Sequence, residues 1–289
     1  MMWKKTLTDD ELRFTQKDIM LKLLSTIDER GWPHITMISC MGAKRNGEFI
    51  WGQFSQGRSK KYVRENSKQG FYIMNSSISI PIKFIHGKIN LKRIEDEGEN
   101  IETFSKIPLL RYNTYLNCWR AYINDIVAVS PFRKISLLGM GKGILAGTIA
   151  KGGINDEDSE DKLSNWAYNL INSALSFKFI CYLDPSDGYP LIIPCLQLRA
   201  ANKSTLIFPK SQFKDELNEI PLNSHIAVSV HNFEAISHLI NGRLVEYKKS
   251  RGITVGIVEI DEIYNPMPPV PGVIYPKRKP RPKVTSFDL

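Results

Sequence analysis

The chain has 289 residues, enough for two domains with cores of their own, and its hydrophobic content of 42% and charged content of 24% are those of a globular protein. No apolar run approaches the roughly 18 residues that span a bilayer, and the N-terminus, with Lys4, Lys5, Asp9, Asp10 and Glu11, lacks the apolar core of a signal peptide, so a cytoplasmic protein without membrane contact is expected. The net charge is +9, and the four cysteines (Cys40, Cys118, Cys181, Cys195) lie far apart without C-x-x-C spacing, which argues against a disulfide framework or a zinc site and for reduced, buried thiols.

In chain order, Thr8 followed by Glu11 reads as a capping box opening a helix expected to run to about Leu21. A strand near Leu23 to Ile27 comes next, then the turn Asp28-Glu29-Arg30-Gly31 and a strand from Pro33 to Met41 carrying β-branched Ile35, Thr36 and Ile38. Asn46-Gly47 signals a hairpin whose two central residues take positive φ. After it come the strand Glu48 to Phe54, a helix from Arg58 to Asn66 and the strand Gly70 to Asn75. Ser105 to Tyr122 reads as helical, Asn124 to Val129 as a strand, Gly139 to Gly143 as a glycine-rich loop, Lys151 to Asp161 as a linker and Leu163 to Leu175 as a helix.

The second half of the chain repeats the first. At an ungapped offset of 157 positions Gly31 falls on Gly188, Trp32 on Tyr189, Pro33 on Pro190, Ile50 on Ile207, Asn66 on Asn223 and Ser67 on Ser224. The cations do not repeat: Arg58, Ser59, Lys60 and Lys61 fall on Asp215, Glu216, Leu217 and Asn218. A helix start offers unpaired N–H groups and the positive end of its dipole, and cations there are unfavourable unless an anion compensates them. Arg58, Ser59, Lys60 and Lys61 are therefore candidates for holding a phosphate, and their counterparts are not. Carboxylates at Asp215 and Glu216 would repel one.

The element order, strands and hairpins interrupted by short helices, is that of a small antiparallel barrel, so the fold class is mainly β with α (α+β). Residues 23 to 75, with the Gly31-Trp32-Pro33 turn, two strands and the Ser59-Lys60-Lys61 helix start, resemble the FMN-binding split barrels, the pyridoxamine 5'-phosphate oxidase-like group. The resemblance implies two tandem split β-barrels, an FMN-binding one at 1–152 and a degenerate one at 153–276, with a basic Pro-rich tail at 277–289. It also implies that Gln53, Phe54 and Ser55 touch the ribityl chain or ring edge, with Ile38 and Ser39 flanking the ring. Such barrels place the flavin between two subunits; here the second copy takes the partner's place, and a homodimer would carry two sites. The implied activity is hydride transfer between a nicotinamide, NAD(P)H, or another small substrate and FMN. A non-catalytic flavin- or haem-binding protein and a deazaflavin-dependent reductase remain as alternatives.

Other features carry less. Lys277, Arg278, Lys279, Arg281 and Lys283 crowd the tail, yet no base-reading motif accompanies them, so nucleic acid is not the expected partner. The tail is expected to wrap the surface and fray after Tyr275. Gly139-Met140-Gly141-Lys142-Gly143 lacks a surrounding βαβ unit for nucleotide binding. The five histidines show no ligand spacing, no nucleophile elbow is present, no metal is expected, and no catalytic acid or base is legible.

Overall fold

The computed structural model describes residues 3–18, 20–75, 81–105, 118–154, 160–232, 237–266 and 272–276. The first sheet contains β1 (Met20–Ile27), β2 (Pro33–Met37), β3 (Met41–Arg45), β4 (Glu48–Gln53), β5 (Lys68–Asn75), β6 (Ile82–Glu95), β7 (Arg120–Val129) and β8 (Arg133–Ile135). The second contains β9 (Phe177–Leu183), β10 (Pro190–Pro194), β11 (Arg199–Ala200), β12 (Thr205–Pro209), β13 (His225–His231), β14 (Ser237–Ser250), β15 (Ile253–Asn265) and β16 (Gly272–Tyr275). The strand orders are β2-β1-β5-β6-β7-β4-β3 and β10-β9-β13-β14-β15-β12-β11, antiparallel throughout, with β8 added on β6 and β16 on β15. Each strand of the first path thus has a counterpart at the same place in the second. The turn glycine has one too, at Gly31 (φ +78°) and Gly188 (φ +73°), a left-handed conformation that costs glycine nothing.

The helices are α1 (Asp9–Thr15), α2 (Arg58–Glu65), α3 (Glu99–Ser105), α4 (Leu137–Lys151), α5 (Asn165–Asn172) and α6 (Lys214–Glu219). Thr8 and Glu11 form the expected capping box, but α1 stops at Thr15, and from Met20 the chain is already β1. The run Pro33 to Met41 is not one strand: β2 ends at Met37 and β3 starts at Met41, each pairing with a different neighbour. The β3–β4 hairpin forms around Asn46-Gly47, yet neither residue has positive φ, and a bulge between Ala43 and Arg45 supplies the twist instead. Of the helix expected over Ser105 to Tyr122, residues 106–117 lie outside the described ones, and Arg120 onward is strand β7, a correction forced by its pairing with β4 and β6. The glycine-rich loop is also corrected. It is part of α4, capped by Ser136, whose Oγ accepts from the Gly139 N–H at 3.1 Å. The basic tail lies outside the described residues.

One core fills the first barrel, around Phe49, Trp51 and Phe71, and another the second, around Tyr182, Phe208 and Ile226. A third joins them, with Leu23, Ile35 and Tyr72 from one side and Phe179, Ile192 and Leu239 from the other. The contacts between barrels are reciprocal: β5 packs on β10 as β13 packs on β2, and β1 on β10 as β9 on β2. Trp32 stacks on His225 at 3.8 Å, and their counterparts at the same offset, Tyr189 and Lys68, form a cation–π pair at 5.1 Å. One chain therefore reproduces an isologous, two-fold interface within itself.

Candidate functional site

A two-fold pair of barrels makes two equivalent clefts, and one of them is open. A cavity of about 270 Å³ lies between the barrels, bounded by His34 to Met37 of β2, Ser55 to Arg58 and Lys60 at the start of α2, and Ser229, Ser237, Leu239, Tyr264 and Pro266 of the second barrel. The helix start that faces it is unusual. Gly57 caps α2 with no side-chain hydrogen bond and the first turn holds no acid, so its N–H groups keep the character of an anion site.

The cations of α2 have separate fates. Arg58 reaches across to the second barrel, where its guanidinium donates to Glu262 at 2.8 Å and lies 3.9 Å from the centre of the Tyr264 ring. Arg30 flanks the same carboxylate at 3.5 Å while anchored on Asp28. Lys61 points away, to Glu29 and Glu65, and is exposed. Lys60 lines the cleft, forms no ion pair among the described residues, and is pushed below the ordinary lysine pKa by burial, the nearby Cys40 opposing. An ammonium so placed gains by the arrival of an anion. His34 is buried beside it and pushed down to about 3 by burial, with Arg58, Lys60 and Arg30 adding to the effect, so it is neutral.

The remaining expected contacts are dispersed. Ser59, in the first turn of α2, is buried, and Ser55 borders the cleft. Gln53 is buried inside the first barrel, its Oε1 accepting from the Tyr122 hydroxyl at 2.9 Å, and Phe54 packs edge-on against Phe104. Ile38 belongs to the first core, and Ser39 lines a separate cavity of about 300 Å³ with Cys40, Lys22 and Phe104. In that second cavity the buried Lys22 ammonium already donates to the Thr15 and Met41 carbonyls, stapling the end of α1. Glu262, Tyr264, Ser229 and Ser237 carried no sequence signal, since they are brought to the cleft only by the docking of the second barrel.

The twin cleft explains why this one is open. Leu23 faces Tyr72 and Phe179 faces Ser229 across equivalent strand pairs; likewise Met74 faces Phe84 and His231 faces Ser237. Ser229 and Ser237 thus occupy the places of Tyr72 and Phe84, and Phe213, just before α6, adds a third ring to the twin. In the twin the three aromatics pack together, Tyr72 on Phe84 at 5.0 Å and Phe84 on Phe213 at 5.7 Å, and the Arg133 guanidinium sits 5.0 Å from Phe213 while pairing with Glu216. Glu216 therefore meets a cation of the first barrel, and aromatic side chains occupy the second cleft.

No protein-family model matches the chain, and no curated protein sequence does. Solved structures do. An FMN-binding protein from Syntrophomonas wolfei is similar at 20% identity, over 44% of this chain and 88% of its own, with a TM-score of 0.36. A putative pyridoxamine 5'-phosphate oxidase from Lactobacillus delbrueckii is similar at 13% identity over 44% and 96%, TM-score 0.34. The haem storage protein HutZ from Vibrio cholerae is similar at 11% identity over 42% and 89%, TM-score 0.33. The fold rests not on these likenesses but on the strand order of the two sheets. The chain is two antiparallel β units of the same strand order, in tandem.

Proposed function

We propose that the open cleft binds one FMN per chain and that the protein is a flavin-dependent oxidoreductase acting on a small substrate, NAD(P)H among the candidates. The observation that carries the reading is the contrast between the clefts: Ser229 and Ser237 line a cavity at the places where Tyr72 and Phe84 pack together with Phe213. The cavity is near the lower end of the ~300–1,000 Å³ usual for ligand sites. The donor set fits a phosphate ester, with the uncapped N–H groups of α2 and the Lys60 ammonium converging from one side. Flavin supplies the hydride chemistry when bound. The chain's own part is to hold the phosphate at Lys60, to keep Arg58 in place through Glu262 and Tyr264, and to exclude water with Ile35, Leu239 and Tyr264.

The test is direct. Protein saturated with FMN, freed of excess and then denatured should release about one FMN per chain; release of two would show that the twin cleft opens. Lys60→Ala should weaken FMN roughly tenfold to a hundredfold, the size of a lost charge-assisted bond, and leave riboflavin, which lacks the phosphate, nearly unchanged. Equal losses for both ligands would remove the phosphate role of Lys60. A Soret band with no flavin spectrum would replace the reading with a haem protein.

A further inference from the structure

The second barrel offers the cleft a polar pair that the chain otherwise does not use. Ser229 lines the cavity, and its Oγ lies 2.6 Å from Nε2 of His231, two residues along β13. Both side chains are buried, and Nδ1 of His231 has no partner among the described residues. Burial pushes His231 down to about 4, so the ring is neutral and carries one N–H. Two tautomers are available. With the proton on Nδ1, a buried N–H would be left unpaired while Nε2 accepted from the serine. With the proton on Nε2, that N–H donates to Ser229 Oγ and only a lone pair is unpaired at Nδ1, the lesser cost, since orphaned buried donors are rarer than orphaned acceptors. In the second arrangement the serine hydroxyl is relieved of donating to the histidine and its proton is free for whatever occupies the cleft. At the twin positions the pair is Tyr72 and Met74, whose hydroxyl and sulfur are 3.5 Å apart inside packed core.

We infer that Ser229, oriented by His231, donates a hydrogen bond to a carbonyl oxygen or unprotonated ring nitrogen of the flavin ring, a recognition contact contributed by the second barrel. The inference rests on the flavin reading of the cleft. The ring, and not the phosphate, is the expected recipient because the cations lie on α2 of the first barrel, whereas Ser229 is contributed by β13 of the second, with apolar Leu239 beside it on the neighbouring strand. Ser229 contacts the ligand; His231 is a positioning residue.

The experiment titrates the full-length protein with FMN and with riboflavin, monitoring fluorescence quenching and the long-wavelength absorption band of the bound flavin. Ser229→Ala should weaken both ligands by the same factor, roughly threefold to tenfold for a neutral hydrogen bond, and shift the band. His231→Leu should behave likewise, whereas His231→Gln, which keeps an N–H donor, should remain closer to the parent. The pattern is the reverse of that expected for Lys60→Ala, which spares riboflavin. Parent-like affinity and an unshifted band in Ser229→Ala would overturn the inference while leaving the cofactor reading intact, and so would a loss confined to FMN. A parent that binds neither flavin overturns both.

Discussion

At the residue scale, the cleft is a matter of a few volumes. Tyr72, Phe84 and Phe213 fill one of two equivalent spaces, and replacing Ser229 with the Tyr found at its twin position should fill the other. We expect Ser229→Tyr to lose flavin binding by more than about a hundredfold, because the phenol and the ring claim the same space, and to unfold at nearly the parent's denaturant midpoint, since the side chain enters a cavity and not packed core. Flavin affinity within tenfold of the parent would place the ligand elsewhere. The sequence foreshadowed only the first-barrel half of this site. A Gly-capped helix start with Arg58 and Lys60 stands out because cations are wrong for that end of a helix without an anion. Glu262 and Tyr264, which hold Arg58, sit some two hundred positions further on, and nothing local marks them. Lys61 looked equivalent to Lys60 in sequence; one helical step turns it toward Glu29.

At the element scale, the repeat was legible because strand starts and turns recur: β2 starts at Pro33 and β10 at Pro190, and the starts of β4, β5 and their counterparts keep the same offset. Buried lysines repeat as well, Lys22 stapling the end of α1 and Lys178 donating to the Ser173 carbonyl after α5, but one extra residue in the second turn displaces them by a position and hides the match. Helix α4 was not legible, since glycine disfavours helix. It forms because its glycines let the backbone lie close to the second barrel: a Cβ on Gly147 would come within 2.5 Å of the Gln197 carbonyl oxygen. The same close approach governs the β5–β10 contact, where a Cβ on Gly70 would fall 2.1 Å from the Pro190 carbonyl oxygen. Gly70→Ala must push the barrels apart there, at a cost of roughly 1–3 kcal/mol or more, read as a lower denaturant midpoint together with weakened flavin binding. An unchanged midpoint would mean that the two barrels do not bear on each other through these strands.

At the scale of the whole molecule, the interface between the barrels and the cleft beside it bury histidines in neutral form, and this makes stability depend on pH with a definite sign. His34 and His86 are pushed down to about 3 and His231 to about 4, in each case first by burial; His86 also bonds across the interface, its Nδ1 lying 2.8 Å from the Ile192 carbonyl oxygen. In the unfolded chain these rings titrate at the ordinary value of 6.5. Between about pH 4 and 6 the unfolded state therefore binds roughly two to three more protons than the folded one, the difference being largest near pH 5, so unfolding free energy rises with pH across that window and falls as acid is added. The expected slope is about 4 kcal/mol per pH unit near pH 5, a large share of the ~5–15 kcal/mol that stabilises a folded domain. Urea unfolding at closely spaced pH values should show the midpoint falling steeply below about pH 6, and His86→Gln should reduce the slope by about a third. A slope near pH 5 of one proton or less would mean that these rings are not buried neutral, and that the barrels do not close on one another as the reciprocal strand contacts require.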